Sequence, residues 1–191
     1  FSMTTLEADS LRQMFGKLDG EAAAAMAAAP APPAKVYTDL NELRLAFEQA
    51  FVELEPRPEP SVGQEPFEIE ESSRGFAISL SGDALFQTGS ASLRPEARQL
   101  LDAVARTVRD IDAMVAVEGH SDNQGTSALN WRLSLSRAGA VLDYLVYEGG
   151  LKPGRMALAG YGPTRPVAAN TDAAGRARNR RVEIVLLKDR F

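Results

Sequence analysis

Two different spacings of apolar residues alternate along the chain after residue 64, and this alternation constrains the fold more than any other feature of the sequence. Apolar and polar residues alternate over 67–69 and 76–80, which predicts a β-hairpin that turns over residues 72–75. Apolar residues then recur at helical spacing over 95–108 and 130–147, which predicts two amphipathic helices. Further strands and a short helix are predicted at 114–118, 156–161, 171–179 and 182–187.

The order of these elements predicts the fold class. Strands that alternate with helices, together with one hairpin, predict an α/β chain, more narrowly an α+β two-layer sandwich in which helices pack on a mixed sheet. The folded domain is expected to span residues 64–191, and the sequence contains no internal repeats.

The residues before this domain predict appendages to it. A short amphipathic helix over 5–15 is expected in segment 1–19, and an alanine- and proline-rich linker follows over 20–36. Segment 37–63 combines a second predicted helix, over 40–54, with a proline-rich stretch that ends it. This second helix has one apolar face, which needs a partner.

Composition removes several functional classes. The 191 residues include no cysteine and one histidine, His120, so a disulfide scaffold, cysteine catalysis and a multi-histidine metal centre are excluded. The net charge of −5 does not favour nucleic acid as a partner. The sequence shows neither a bilayer-spanning apolar stretch nor a signal peptide, so we expect either a cytosolic protein or a piece of a longer one.

Catalytic patterns are weak. His120, Ser121 and Asp122 are consecutive, but neighbours in an extended segment point to opposite faces and cannot form a proton relay. The sequence also lacks a recognisable pattern of paired carboxylates, metal ligands or an activated nucleophile. We therefore predict a protein that is not an enzyme and uses no metal or cofactor.

Arg137 is the most informative position. It lies four residues after Leu133 and four before Val141, within the apolar stripe of the second domain helix. Burying an unpaired charge costs several kcal/mol, so Arg137 needs a partner. Asp122, just past the carboxyl end of a predicted strand, is the nearest candidate, and loops at that edge of a sheet commonly hold ligands.

Two interpretations of this pair stay open on these grounds. Asp122 and Arg137 either pair with each other as a structural ion pair, or both face a cleft and hold a zwitterion. In the second case the Asp122 carboxylate takes an ammonium group and the Arg137 guanidinium takes a carboxylate through its fork. The arginines between residues 176 and 181 are expected to form salt bridges that pin the short helix against the sheet.

Several short motifs follow one another in order. They are Glu118-Gly119-His120-Ser121-Asp122-Asn123, Asn130, Leu133-Ser134, Arg137-Ala138, Gly160-Tyr161-Gly162, Pro166, Asn170 and Gly175-Arg176-Ala177-Arg178-Asn179-Arg180-Arg181-Val182-Glu183. Their order and spacing resemble the OmpA-like peptidoglycan-binding domain family, over residues 67–187. The resemblance implies a βαβαβ-type mixed sheet with helices on one face.

The resemblance also implies a ligand and a site. In that family the aspartate of the Gly-His-Ser/Thr-Asp motif and the arginine of the Leu-Ser-x-x-Arg-Ala motif hold the two charged ends of diaminopimelate in the peptidoglycan stem peptide. These positions fall on Asp122 and Arg137. The further site residues that it implies are Asn130, Ser121, Gln124 and Phe86, the last as a wall of the cleft.

Residues 85–91, the pair Asn130-Trp131 and the arginine-rich segment 175–181 are most similar to the flagellar stator B subunit (MotB or PomB type) within that family. This similarity implies a periplasmic fragment that anchors a motor stator to the cell wall and is tethered to the inner membrane in the full-length protein. The segments 6–15 and 40–54 are then expected to plug and gate an ion channel and to support dimerisation.

The partners that this similarity implies are peptidoglycan, a stator A subunit bound through a membrane helix upstream, and a second copy of the chain in a homodimer. A general wall anchor of the same fold, such as a lipoprotein or an outer-membrane tether, is the alternative.

Overall fold

The computed structural model describes residues 40–52 and 67–188, and both stretches belong to one compact unit, Lys35–Phe191. The predictions for residues 1–19 and 20–36 lie outside the described residues. The elements, in chain order, are α1 (Leu40–Val52), β1 (Phe67–Ser72), β2 (Gly75–Ser81), α2 (Gly82–Leu85), α3 (Ala97–Val108), β3 (Met114–Gly119), α4 (Ser127–Tyr147), β4 (Met156–Gly160), α5 (Ala173–Asn179) and β5 (Arg181–Leu187). A short 3₁₀ turn, Pro153–Arg155, precedes β4.

The five strands form one mixed sheet in the order β1-β2-β5-β3-β4. β3 and β4 pair in parallel, whereas the other neighbouring strands pair antiparallel. The β1–β2 hairpin pairs Phe67 with Leu80 and closes at the pair Ser72 and Gly75. This architecture confirms the predicted α/β class and the mixed sheet. It also places β5, the last strand of the chain, at the centre of the sheet.

Alternate strand residues and the helices enclose the core. Val117 of β3 and Ile184 of β5 pair in register, and both are fully buried. Leu100 and Val104 of α3 and Val141 of α4 are also fully buried in the same cluster. Burying each such side chain contributes about 1.5–3 kcal/mol, so this cluster dominates the folding energy of the domain.

Helix α1 packs on the domain. Its Leu43 and Phe47 side chains are fully buried, and the Phe47 ring meets the Phe67 ring of β1 edge-on, with 4.6 Å between centroids. The Arg44 guanidinium donates a hydrogen bond to the Ile69 carbonyl at 3.3 Å. The predicted apolar face therefore has its partner within the domain.

Two glycines bring α4 close to the sheet. A Cβ on Gly119 would lie 2.0 Å from the carbonyl oxygen of Ser134, and one on Gly160 would lie 2.6 Å from the backbone of Leu135. Only glycine permits this approach. This close approach fixes the distance of α4 from the carboxyl ends of β3 and β4. The loop that carries Asp122 begins at the end of β3.

In residues 40–52 and 67–188, none of the helices is both long enough and apolar enough to cross a membrane.

Candidate functional site

Asp122 lies in the loop that follows β3, and its carboxylate is almost enclosed. Its Oδ1 accepts a hydrogen bond from the backbone N–H of Gln124 at 3.0 Å, which closes a tight local turn. Its Oδ2 accepts from the Arg180 guanidinium at 2.9 Å. The residue is 8% exposed, and two donors already hold its carboxylate.

Asn130 ties this loop to the first turn of α4. Its side-chain amide donates to the backbone oxygens of Asp122 at 3.2 Å and Gln124 at 2.9 Å. The Ser121 hydroxyl donates to the Asp122 carbonyl at 3.0 Å. Thr126 caps the helix by accepting from the Leu129 N–H at 3.3 Å. In this structure, Ser121 and Asn130 therefore hold the shape of the loop.

Arg137 points from α4 into the same region. Its Nε donates to the Ser90 carbonyl at 2.9 Å, and its guanidinium carbon lies 5.0 Å from the centroid of the Phe86 ring. The residue is 5% exposed, and burial lowers the pKa of its guanidinium, partly offset by the nearby charge of Asp83. Among the described residues, no carboxylate forms an ion pair with it.

The possibility that Asp122 and Arg137 form a structural pair with each other is therefore wrong. The partner of Asp122 is Arg180, which follows α5 and precedes β5. Arg180 also donates to both carboxylate oxygens of Asp83, at 3.1 and 2.6 Å. These bonds, chiefly the one to Asp83, raise the pKa of the Arg180 guanidinium above its usual range.

Arg180 and Asp83 are site residues that sequence reasoning missed. The sequence predicts salt bridges for the arginines between residues 176 and 181, with the role of pinning the short helix. Two of these arginines form them: Arg180 pairs with Asp83 and Asp122, and Arg181 pairs with Glu183 at 2.6 Å. The sequence carried one usable signal, a run of arginines at the start of the last strand.

The charges of the site alternate. Asp83 and Asp122 carry two negative charges, and Arg180 and Arg137 carry two positive charges, so the set is neutral. Both carboxylates and Arg180 act electrostatically on Arg137. A neutral set of charges that includes a carboxylate and a guanidinium free of carboxylate partners among the described residues is complementary to a zwitterion.

The six sequence-predicted site residues form two groups of contacts, and the charge of Asp122 in the first group acts on Arg137 in the second. Hydrogen bonds connect Ser121, Asp122, Gln124 and Asn130, and a cation–π contact joins Arg137 to Phe86.

A second polar cluster lies on the opposite face of the sheet. Glu118, His120 and Glu183 bring one ligand atom each within 4.8 Å of one another. The two carboxylates already pair with guanidinium groups, from Arg74 and Arg165 at Glu118 and from Arg181 at Glu183.

This cluster does not suit a metal cation, because three guanidinium charges exceed the two carboxylate charges. Burial, followed by the charges of the three arginines, lowers the pKa of His120 to about 3. Both His120 ring nitrogens are buried without a hydrogen-bond partner, so the ring is a neutral core group that stacks on Tyr161 with 5.5 Å between centroids.

Comparison with known proteins gives matches over this part of the chain. The model of the OmpA family matches residues 85–180. Outer membrane protein A of Bordetella avium is 41% identical over 131 residues, which are 68% of this chain and 66% of that protein. The peptidoglycan-associated lipoprotein of Pseudomonas aeruginosa is 41% identical over 99 residues, 52% of this chain and 58% of that protein. The chain thus spans less than two thirds of the length of these relatives.

Solved structures share the fold. The cell wall anchor of the T6SS from Pseudomonas aeruginosa is 34% identical, with a TM-score of 0.63 over 79% of this chain and 98% of that chain. A putative MotB-like protein from Desulfovibrio vulgaris is 27% identical, with a TM-score of 0.65 over 80% of this chain and 90% of that chain.

Proposed function

Because the chain belongs to the OmpA family, a family of structural and binding domains rather than enzymes, we propose that it binds peptidoglycan non-covalently through the cleft between Asp122 and Arg137. The ligand is the zwitterionic end of the diaminopimelate residue in the stem peptide. Binding at this cleft anchors the protein to the cell wall within the bacterial envelope.

The proposal rests on a difference between Asp122 and Arg137 in their hydrogen-bond and ion-pair partners. Asp122 is held by two donors, whereas the Arg137 guanidinium is buried against Phe86 with its Nε on Ser90 and with no carboxylate partner among the described residues. A ligand carboxylate supplies the missing partner through a forked pair of hydrogen bonds. A ligand ammonium beside Asp122 completes the match, because Asp83 already balances Arg180.

The names of the matched proteins support the same ligand. One relative is a peptidoglycan-associated lipoprotein, and one solved structure is a cell wall anchor. These descriptions belong to those proteins, and they agree with the ligand that the cleft itself suggests.

Co-sedimentation with purified diaminopimelate-containing peptidoglycan tests the proposal. Arg137→Ala is expected to lower the affinity roughly a hundredfold, because a charge-assisted forked contact is worth about 2–3 kcal/mol. Arg137→Lys keeps the positive charge but loses the forked pair of hydrogen bonds. Its affinity for peptidoglycan should therefore lie between that of the unmodified chain and that of Arg137→Ala.

Arg109→Ala is the matched control, because Arg109 is a half-exposed arginine whose ion-pair partner among the described residues is its neighbour Asp110. It should pellet like the unmodified chain. If Arg137→Ala remains folded by circular dichroism and pellets equally well, the cleft is not the site.

For the whole protein, we propose that this chain is the periplasmic region of a MotB-type flagellar stator subunit, which works as a dimer beside a stator A subunit. Such a subunit is tethered to the inner membrane, and residues 6–15 form its channel plug. The likeness to the MotB-like protein of Desulfovibrio vulgaris supports this role.

A second candidate is a passive anchor of another envelope machine, which the likeness to the cell wall anchor of the T6SS favours. Peptide mapping of the native protein upstream of Phe1 separates the two candidates. One apolar helix of about 20 residues with a single aspartate supports the stator role. A lipid-modified cysteine or another module supports the passive anchor.

A further inference from the structure

One short segment contacts both charged groups of the site between Asp122 and Arg137. Helix α2 carries Asp83, whose carboxylate binds Arg180, the ion-pair partner of Asp122. Residues 86–90, which follow α2, provide an aromatic ring and a carbonyl oxygen that contact Arg137. The segment therefore links the two halves of the site.

The backbone of α2 lies directly against Arg180. The Gly82 N–H donates a hydrogen bond to the Arg180 carbonyl at 2.7 Å, and a Cβ at Gly82 would lie 2.7 Å from that oxygen. Only glycine permits this approach. The Arg94 guanidinium donates to the Asp83 carbonyl at 3.3 Å. These contacts place the Asp83 carboxylate beside the Arg180 guanidinium.

Asp83 takes most of the donors of Arg180. The Nε and Nη2 atoms of Arg180 donate to the two Asp83 carboxylate oxygens at 3.1 and 2.6 Å, which is a forked pair. One nitrogen, Nη1, donates to the Asp122 carboxylate at 2.9 Å. Arg180 therefore holds Asp122 through a single hydrogen bond rather than through a forked pair.

This single bond leaves the Asp122 carboxylate able to accept further hydrogen bonds. An ionised carboxylate has about four acceptor positions. Among the described residues, the Asp122 oxygens accept from two donors, the Gln124 N–H and the Arg180 guanidinium. A ligand ammonium can use the positions that remain. If Asp83 did not hold the fork of Arg180, that fork would be free to turn to Asp122 and occupy both of its oxygens.

Asp83 also balances the charge of the site. Without it, the two guanidinium groups of Arg137 and Arg180 would face the single carboxylate of Asp122, and the excess positive charge would repel a ligand ammonium. Burial lowers the pKa of the Arg137 guanidinium, and Asp83 is the strongest of the charges that oppose this shift. The charge of Asp83 therefore acts on both halves of the site.

We infer that Asp83 is a positioning residue that keeps Asp122 available to the ammonium group of the ligand. It does so by holding the fork of Arg180 and by cancelling one positive charge. The site then selects a zwitterion over a ligand that carries a carboxylate alone. This inference rests on the proposed binding of diaminopimelate between Asp122 and Arg137, and it does not require Asp83 to touch the ligand.

Calorimetric titration of the full chain with two soluble stem peptides tests the inference. One peptide carries diaminopimelate, and the other carries 2-aminopimelate, which lacks the distal amino group but keeps the distal carboxylate. The unmodified chain should bind the diaminopimelate peptide roughly tenfold more tightly, because the ammonium forms a charge-assisted hydrogen bond with Asp122. In Asp83→Asn this preference should fall below about threefold, because Arg180 then occupies Asp122. Binding of the 2-aminopimelate peptide should not weaken.

The unmodified chain separates a failure of this inference from a failure of the proposed function. If the unmodified chain prefers the diaminopimelate peptide and Asp83→Asn keeps that preference, the role of Asp83 is wrong while the proposed function stands. Equal weakening of both peptides in Asp83→Asn would also overturn it, because a purely structural loss does not distinguish them. If the unmodified chain binds neither peptide, or both equally, recognition of a zwitterion fails and the role of Asp83 fails with it.

Asp110→Asn is the matched control. Asp110 is also an aspartate that pairs with an arginine, Arg109 at 3.7 Å, and its side chain is 33% exposed compared with 40% for Asp83. Asp110 precedes β3 whereas Asp122 follows it, so the two residues lie at opposite ends of that strand. Asp110→Asn should keep the preference of the unmodified chain.

Urea denaturation without ligand tests the competition for Arg180 separately. When Asp122→Asn is made in the unmodified chain, Arg180 keeps its forked pair with Asp83. In Asp83→Asn, Arg180 depends on Asp122, so adding Asp122→Asn should lower the midpoint of denaturation further than the same change does in the unmodified chain. Equal shifts in the two backgrounds would contradict a competition between the two carboxylates.

Discussion

Arg180 stabilises a carboxylate that has little water around it. The Asp122 side chain is 11% exposed and Arg180 is its ion-pair partner, while Asp83 on the other side of Arg180 is 40% exposed. Removing Arg180 therefore leaves a nearly buried charge uncompensated at Asp122 and a solvated one at Asp83. We therefore expect the loss of stability to fall on the loop that carries Asp122 and not on the helix that carries Arg137.

Arg180→Ala is expected to lower the free energy of unfolding by about 2–3 kcal/mol, because an uncompensated buried charge is costly. Urea denaturation measures this loss. Asp122→Asn removes that charge, so the double variant Arg180→Ala/Asp122→Asn should regain part of the stability. A double variant whose losses simply add would show that Arg180 does not act through Asp122.

His120 predicts an acid-side loss of stability. Its pKa in the folded state is lowered to about 3, from an ordinary 6.5, chiefly by burial. Between pH 6.5 and pH 3, His120 is therefore protonated in the unfolded chain but remains neutral in the folded chain. The contribution of the neutral ring is fully present above pH 6.5 and declines as the pH falls toward 3.

Between pH 7 and pH 5 this linkage removes about 2 kcal/mol from the free energy of unfolding. Urea denaturation at both pH values measures the change, and His120→Gln serves as the comparison because it cannot take up this proton. The variant should lose about 2 kcal/mol less than the unmodified chain over that range. Equal losses would contradict a buried neutral histidine.

At the scale of elements, α1 is part of the folded domain. Phe47 is fully buried against the core, whereas Leu45 on the same helix is 57% exposed. Phe47→Ala should lower the free energy of unfolding by about 3–5 kcal/mol through lost burial and a residual cavity. Leu45→Ala should change it by less than about 0.5 kcal/mol. Urea denaturation compares them, and a tolerated Phe47→Ala would show that α1 docks only weakly.

Periodicity predicted the elements because it reports local geometry. The alternating residues around Ile69 and Ile78 indicated the hairpin, and the stripe through Val141 indicated α4, since both patterns need only near neighbours along the chain. The same stripe singled out Arg137. The single turn Gly82–Leu85 was too short to produce a periodic signal.

The order of strands explains what sequence reasoning missed. Arg180 meets Asp122 across 58 residues and Asp83 across 97 residues, because β5 inserts between β2 and β3. No local pattern specifies that insertion. The partner of Asp122 and the alternating charges of the cleft therefore became visible only in the folded chain.

At the scale of the whole molecule, the sheet separates two kinds of polar cluster. In the loop after β3, Asp122 pairs with Arg180. Arg137, on α4 nearby, has no carboxylate partner among the described residues. On the other face, Glu118 and Glu183 pair with arginines around a neutral His120. The first arrangement leaves the Arg137 guanidinium without a carboxylate partner among the described residues, whereas in the second both carboxylates are paired with guanidinium groups.

Calorimetric titration of the full chain with two soluble stem peptides tests the central claim most directly. One peptide carries diaminopimelate, and the other is identical except that lysine replaces it, which keeps the ammonium and removes the distal carboxylate. Because Arg137 then loses its forked partner, the account predicts roughly hundredfold weaker binding of the lysine peptide. Equal affinity for the two peptides would contradict recognition of a zwitterion by Asp122 and Arg137.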